Sequence, residues 1–257
     1  MLISQVQVTV YLLILARTLG LITSAPVLSS RNIPGSAKIA LASWTALTLW
    51  FVVPVASHLP LTGAALITAL AGELFIGLFL GFVGSVFLIS IQSAGEMIDV
   101  QMGLSVANVF DPSFGTQISI IGRLLFLTGI FFFLSLNGHH ALLSVLYNSF
   151  DLLPVSALPH IKAAYPEFLG TLGQTLWRIS IQLAIPALVM LLLVDFAFGI
   201  ISRVAPQVNV FMLGFQVKPT VGLLALLFML PFFAPFFKST FLNMSELLTR
   251  AILLLGP

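Results

Sequence analysis

Six apolar runs, each long enough to cross a bilayer, limit what this chain of 257 residues can fold into. They lie near 6–25, 38–56, 64–91, 118–136, 178–202 and 219–238, and one helical crossing needs about 20 residues. In hydrocarbon every backbone donor and acceptor has to be paired within the protein, which leaves helices and closed barrels. The runs are continuous rather than alternating, so they predict helices. Composition agrees: 59% of residues are hydrophobic and 7% are charged, whereas soluble domains carry roughly 25% charged residues. The expectation is an all-α polytopic membrane protein of about six long, partly Pro-kinked helices, forming a single integral-membrane domain over 1–257.

Several details refine this. Pro186 falls in the fifth span, and Pro231 and Pro235 interrupt the sixth. Each removes a backbone donor and bends its helix, which is best tolerated where neighbouring protein re-satisfies the freed carbonyl. Arg17 lies inside the first apolar run and no small-residue cleavage site follows, so this run reads as a retained span. The mixed region 137–176 is a loop, a short helix or both, and is too short for a soluble domain. Arg31 and Lys38 follow span one, and Arg203 and Lys218 follow span five; if positive loops stay inside, both connections are cytoplasmic and the N-terminus is outside. The tail 239–257 has an apolar helical face of Phe241, Met244, Leu247, Leu248 and Ile252; whether it crosses, lies flat or packs on the bundle stays open.

Whole classes of function drop out. The net charge is +2 with no Lys/Arg cluster, which argues against nucleic acid as a partner. The chain has no cysteine, so disulfides, thiolate metal sites and thiol catalysis are excluded. His139 and His140 are adjacent, about 100° apart on a helix, and no carboxylate follows at ligand spacing before Asp151. His58 and His160 stand alone beside prolines. An intramembrane enzyme built on His139, His140 and Asp151 is the weakest reading; the expectation is no enzyme, no cofactor and no metal.

The polar residues that remain stand out. Arg17, Glu73, Arg123, Arg178 and Asp195 sit within or at the ends of apolar runs, where a charge needs a partner, a cavity or a water path. Asp195, Gly199 and Arg203 follow at steps of four. Asp195 and Arg203 are then about 12 Å apart along the axis, so each needs a partner from another helix or chain. A proton or ion relay and buried interhelical ion pairs both fit. Gly77-x-x-x-Gly81 permits close helix packing, within the chain or against another subunit. The longest polar passage, Gln92–Arg123, starts helical, with Gln92, Glu96, Asp99 and Gly103 on one face. It then breaks into loop chemistry at Ala107–Gly115, because Asn108, Asp111-Pro112 and Gly115 favour turns. The same loop carries Val109, Phe110 and Phe114. These suit insertion into a cavity, or packing of an ordinary surface loop on neighbouring helices.

After the fifth span the chain reads Asp195-Phe-Ala-Phe-Gly199-Ile-Ile-Ser-Arg203-Val-Ala-Pro206-Gln207-Val-Asn209-Val-Phe211-Met-Leu-Gly214-Phe215-Gln-Val-Lys218. Further matching pieces are Pro34 with Lys38, Gly72-Glu73 with Gly77 and Gly81, Glu96-x-x-Asp99-x-Gln101-x-Gly103, Asp111-Pro112 and Asn137-Gly138-His139-His140. Together they closely resemble the FliR family of the flagellar type III export gate, related to the SctT proteins of injectisomes. Gln216 departs from many relatives, which carry Pro there.

The resemblance implies one subunit of a helical multi-subunit export gate in the bacterial inner membrane, at the flagellar basal body. Its partners would be several copies each of FliP and FliQ, with FlhB and FlhA, and unfolded flagellar subunits would pass through, driven by proton motive force and an export ATPase elsewhere. It implies a FliP-like part over about 1–150 and a FliQ-like hairpin over 151–257. The family's plug loop falls on Val106–Gly122, with Val106, Asn108, Val109, Phe110, Asp111, Pro112, Phe114 and Gly115, and its apolar constriction on Phe211, Met212 and Phe215. Glu73, Glu96, Asp99, Asp195, Arg203 and Lys218 become buried or interface polar groups, and Gly77, Gly81 and Gly199 packing positions. The alternative is an ion-coupled small-molecule transporter using Glu73, Asp99, Asp195 and Arg203, although the two matching halves common in such folds are not seen.

Overall fold

The computed structural model describes residues 5–30, 33–53, 63–106, 119–156 and 164–255. The described residues form helices α1 (Gln5–Ser24), α2 (Gly35–Trp50), α3 (Gly63–Met102), α4 (Ile120–Ser135), α5 (Gly138–Leu152), α6 (Tyr165–Val204) and α7 (Val210–Leu255), plus a 3-10 turn at Leu104–Val106. No strand occurs among them. Four of these helices, α1, α3, α6 and α7, are long and apolar enough to cross a membrane, and the α4–α5 pair, bent by 65°, makes a fifth candidate. The protein is an all-α, multi-pass membrane protein.

Helix ends follow local chemistry. α3 continues through the polar residues 92–102 and stops where Gly103 takes φ +81°, the left-handed conformation with which glycine commonly ends a helix. The α4–α5 bend turns on Asn137 at φ 59°, a conformation asparagine tolerates better than most residues. The prolines of the last span sit inside a single helix. α7 runs unbroken through Pro219, Pro231 and Pro235, because each proline removes one intrahelical bond and leaves those of its neighbours in place. The C-terminal tail is therefore the end of α7, with Met244, Leu248, Ala251 and Ile252 buried in the bundle. α3 and α6 have 40 residues each and α7 has 46. At about 1.5 Å per residue these are roughly twice as long as a hydrocarbon core is thick.

The chain divides into two compact units, one of residues 1–86, 137–172 and 241–257, the other of 87–136 and 173–240. In the first, α1 and α2 pack together, and α1 meets α3 through glycines. A Cβ on Gly77 would press into the Arg17 carbonyl group and the Leu21 amide, and one on Gly81 would sit 2.7 Å from the Leu21 oxygen. The Gly77/Gly81 ridge thus packs within the chain. Beside this crossing Arg17 and Glu73, both fully buried, form an ion pair with Nε to Oε2 at 2.5 Å. Arg17 also donates to Ser149 Oγ and to the Leu153 carbonyl, each at 3.0 Å, and its guanidinium lies 4.0 Å from the Phe150 ring centroid. Glu73 Oε1 accepts from the Ser156 amide at 2.8 Å. The end of α5 and the turn after it are thereby pinned to α1 and α3.

In the second unit Phe237, fully buried, stacks on Phe132 at 4.7 Å and meets Phe87 and Phe233 edge-on. Ser180 Oγ on α6 donates to the Ser90 carbonyl on α3 at 2.9 Å. α3 and α4 approach backbone to backbone, since a Cβ on Gly95 would lie 2.7 Å from both the Gly122 amide and the Ile121 oxygen. Large apolar faces stay uncovered: Phe196, Phe228 and Phe232 are each 70% exposed.

Two expectations follow for stability, read as unfolding of the detergent-extracted protein. Gly77→Ala meets rigid backbone and should cost at least about 2 kcal/mol, whereas Gly84→Ala meets the movable Leu142 Cδ2 and should cost less. Arg17→Met strands a buried carboxylate and should cost about 3–5 kcal/mol, and Arg17→Met/Glu73→Met should regain a large part of that.

Candidate functional site

The residues after Val100 and those around Phe211 come together in the second unit. They line a cavity of ≈ 520 Å³ whose wall includes Gln101, Gly103, Asp195, Phe198, Phe211, Phe215 and Lys218. The wall is built from three helices. α3 ends at Met102, α6 brings Asp195 and Phe198, and α7 begins at Val210, its Met212 amide donating to Asn209 Oδ1 at 3.2 Å. This cap sets where α7 starts, and hence the direction in which Phe211 and Phe215 project one turn apart. Their rings meet edge-on at 4.8 Å. Phe211 is 72% and Met212 57% exposed, so these apolar side chains face open space rather than a core.

A polar knot closes one side. Asp195 Oδ1 pairs with Lys218 Nζ at 2.5 Å, and Asp195 Oδ2 accepts from Gln101 Nε2 at 2.8 Å. The partner that Asp195 needs from another helix is thus Lys218 on α7, with Gln101 on α3 completing it. Arg203 is exposed and forms no ion pair among the described residues, and Gly199 has open space where a Cβ would go. Three consecutive residues hold the end of α3 here. Gln101 bonds Asp195, buried Met102 fills the space over Gly222, and Gly103 lies against the Phe215 ring, 3.5 Å from where its Cβ would be.

The polar passage is anchored again at its far end. Asp99, 2% exposed, accepts from the Ile121 amide at 3.3 Å, and Ser119 Oγ accepts from the Gly122 amide at 2.8 Å. Both oxygens satisfy free amides at the N-terminus of α4, where negative charge is favoured. Glu96, which is exposed, accepts from Gln92 one turn earlier at 2.8 Å. Val106 closes the 3-10 turn, and Ile120–Gly122 form the first turn of α4. Asn108, Val109, Phe110, Asp111, Pro112, Phe114 and Gly115 lie outside the described residues, as do His58 and His160.

The model of "Bacterial export proteins, family 1" matches residues 8–244. The chain belongs to this family. It is 35% identical over 232 residues to the flagellar biosynthetic protein FliR of Pectobacterium carotovorum subsp. carotovorum, covering 90% of this chain and 88% of the relative. It is 32% identical to the FliR of Escherichia coli K12, covering 93% and 90%, and 29% identical to the Yop proteins translocation protein T of Yersinia pestis, covering 84% of each. The likeness to FliR proteins drawn from the motifs thus extends over most of the chain. Membership makes the chain an export component rather than an enzyme. Among its described residues no group of three or more His, Asp or Glu side chains could hold a metal ion.

This export protein also shows what motif reading overlooks. Gln101 sits inside a quoted motif, yet only its bond to Asp195, 94 residues away, gives it a role. Phe198 and Gly214 likewise stand inside the quoted 195–218 stretch without an assigned role, and the Ser149–Ser156 anchors of Arg17 and Glu73 carry no sequence signal beyond their residue type. The α4 cap is open to test: Asp99→Ala removes a buried acceptor and should cost about 1–2 kcal/mol, seen as faster amide hydrogen exchange at Ile121 with little change at Phe133.

Proposed function

We propose that this protein is a subunit of the flagellar type III export gate in the bacterial inner membrane, where it forms part of the wall and the plug of a conduit for unfolded flagellar proteins. The observation that carries the reading is the convergence at one cavity of the helix end preceding the segment 107–118 and the exposed Phe211 and Phe215. Phe110, Phe114 and their neighbours in that segment would fill the closed lumen. Phe211, Met212 and Phe215 would form a deformable apolar seal around a passing chain, since such side chains exclude ions without selecting a sequence. Exported chain would shift a two-state loop whose closed and open forms differ by only a few kcal/mol.

The setting supports this reading. Relatives are named for flagellar biosynthesis and for Yop protein translocation. The uncovered apolar faces of α6 and α7 suit sibling subunits of FliP and FliQ type, with FlhA and FlhB as further neighbours, and the hairpin of α6 and α7 would be the FliQ-like part. The transporter reading loses ground because its carboxylates are already engaged: Glu73 by Arg17 and Ser156, Asp99 by Ile121, and Asp195 by Lys218 and Gln101.

The test replaces residues 107–118 with a Gly/Ser linker of equal length, which leaves Asp99 and Ser119 to cap α4. Gates that assemble in normal amount should then leak ions and small solutes. A fully assembled gate as tight as the parent would remove the plug from the account.

A further inference from the structure

Two exposed cations, Arg178 on α6 and Lys238 on α7, form no ion pair among the described residues. An apolar groove runs between their helices. We propose that the two cations and the groove together hold one anionic glycerophospholipid, its phosphate at the cations and an acyl chain between the helices. Such a site needs only a membrane-spanning chain, and so goes beyond the gate reading.

Register puts the two cations at one level. α6 and α7 run antiparallel across the turn at 205–209, and the Asp195–Lys218 pair ties them near that turn. Arg178 precedes Asp195 by 17 residues, and Lys238 follows Lys218 by 20. With a rise of 1.5 Å per residue, both cations then stand about 26–30 Å from the pair. A hydrocarbon core is about 30 Å thick. The cations therefore reach the headgroup level on the side opposite the turn, where basic side chains between spans attract anionic lipid.

The groove begins just inside them. Its volume is ≈ 520 Å³, and its walls include Gln182, Pro186 and Met190 of α6 with Ala225, Phe232 and Phe236 of α7. Gln182 is one turn from Arg178, and Phe236 is two residues from Lys238. From Phe236 back to Ala225 is 11 residues, about 16 Å, or roughly one leaflet of the core. That length selects the occupant. A helix from another chain needs a seat across the whole core, whereas this groove ends halfway, as an acyl chain does. Phe232 is 70% exposed, so the groove lies open.

Gln182 brings the one polar side chain of this wall. It is exposed and makes no side-chain hydrogen bond among the described residues. Pro186 also lacks the amide that would otherwise meet the Gln182 carbonyl. A free side-chain amide one turn inside Arg178 can donate to a lipid ester carbonyl, which lies just below the phosphate.

The test takes the full-length protein, delipidated in a neutral detergent, and titrates it with phosphatidylglycerol or with phosphatidylcholine of the same acyl chains. Bound lipid is counted by native mass spectrometry. One phosphatidylglycerol should bind per chain, about tenfold tighter than phosphatidylcholine. Arg178→Gln and Lys238→Gln should each weaken it about fivefold and together roughly 25-fold. Arg203→Gln, which removes an exposed cation at the other end, should change nothing. Gln182→Leu should weaken binding roughly threefold. Met190→Trp, which fills the inner end of the groove, should weaken both lipids about tenfold.

Equal affinity for the two lipids, unchanged affinity in the double cation variant, or an equal loss in Arg203→Gln would each overturn the site. Should Met190→Trp not be recovered, the exposed cations still decide the matter. The chain has no cysteine, so Phe232→Cys gives it a single thiol in the groove. In the assembled complex that thiol should react with a lipid-soluble maleimide and crosslink to no other subunit. A crosslink there would give the groove to a partner's helix and overturn the lipid.

Discussion

A charge inside an oily bundle has no water to fall back on, and this constraint organises each unit of the protein. Arg17 and Glu73 are fully buried and satisfy one another, with Ser149, Leu153 and Ser156 taking up the remaining donors and acceptors. Desolvation sets a cost of several kcal/mol per ion against such a pair. Its consequence is specificity: any rearrangement of α1 against α3 would strand one partner. Apolar faces cannot supply this, because leucine against leucine differs little from leucine against lipid. Glycine works with the ions by admitting backbone to backbone, as at Gly77 against Arg17 and Gly95 against Gly122.

The same logic, relaxed, describes the second unit. Asp99 is spent on the first amides of α4, which hold one end of the passage between α3 and α4. Asp195 takes two partners from two helices at the rim of an open cavity. Around it stand phenylalanines that a water-soluble protein would bury and that here stay exposed. Helices about twice the thickness of a bilayer, uncovered apolar faces and partly hydrated ions suit a subunit that finishes its surface against other subunits.

Particular residues show how far the chain could be understood before its fold was known. The apolar runs predicted the helices, and the spacing of Gln92, Glu96 and Asp99 by four and then three residues predicted that α3 outlasts its apolar stretch. The need of Asp195 for a partner on another helix followed from the rise per residue. Pro231 and Pro235 lie inside a continuous α7, because one missing donor leaves the bonds on either side in place.

The helical membrane class, the export family and the cast of polar residues were legible in the chain, since periodicity, hydropathy and motif spacing all act within a few turns. Which residues meet was visible in the folded chain alone. Arg17 finds Glu73 across 56 residues and Gln101 finds Asp195 across 94. Such pairings depend on which helices lie side by side, and no pattern confined to one helix records that.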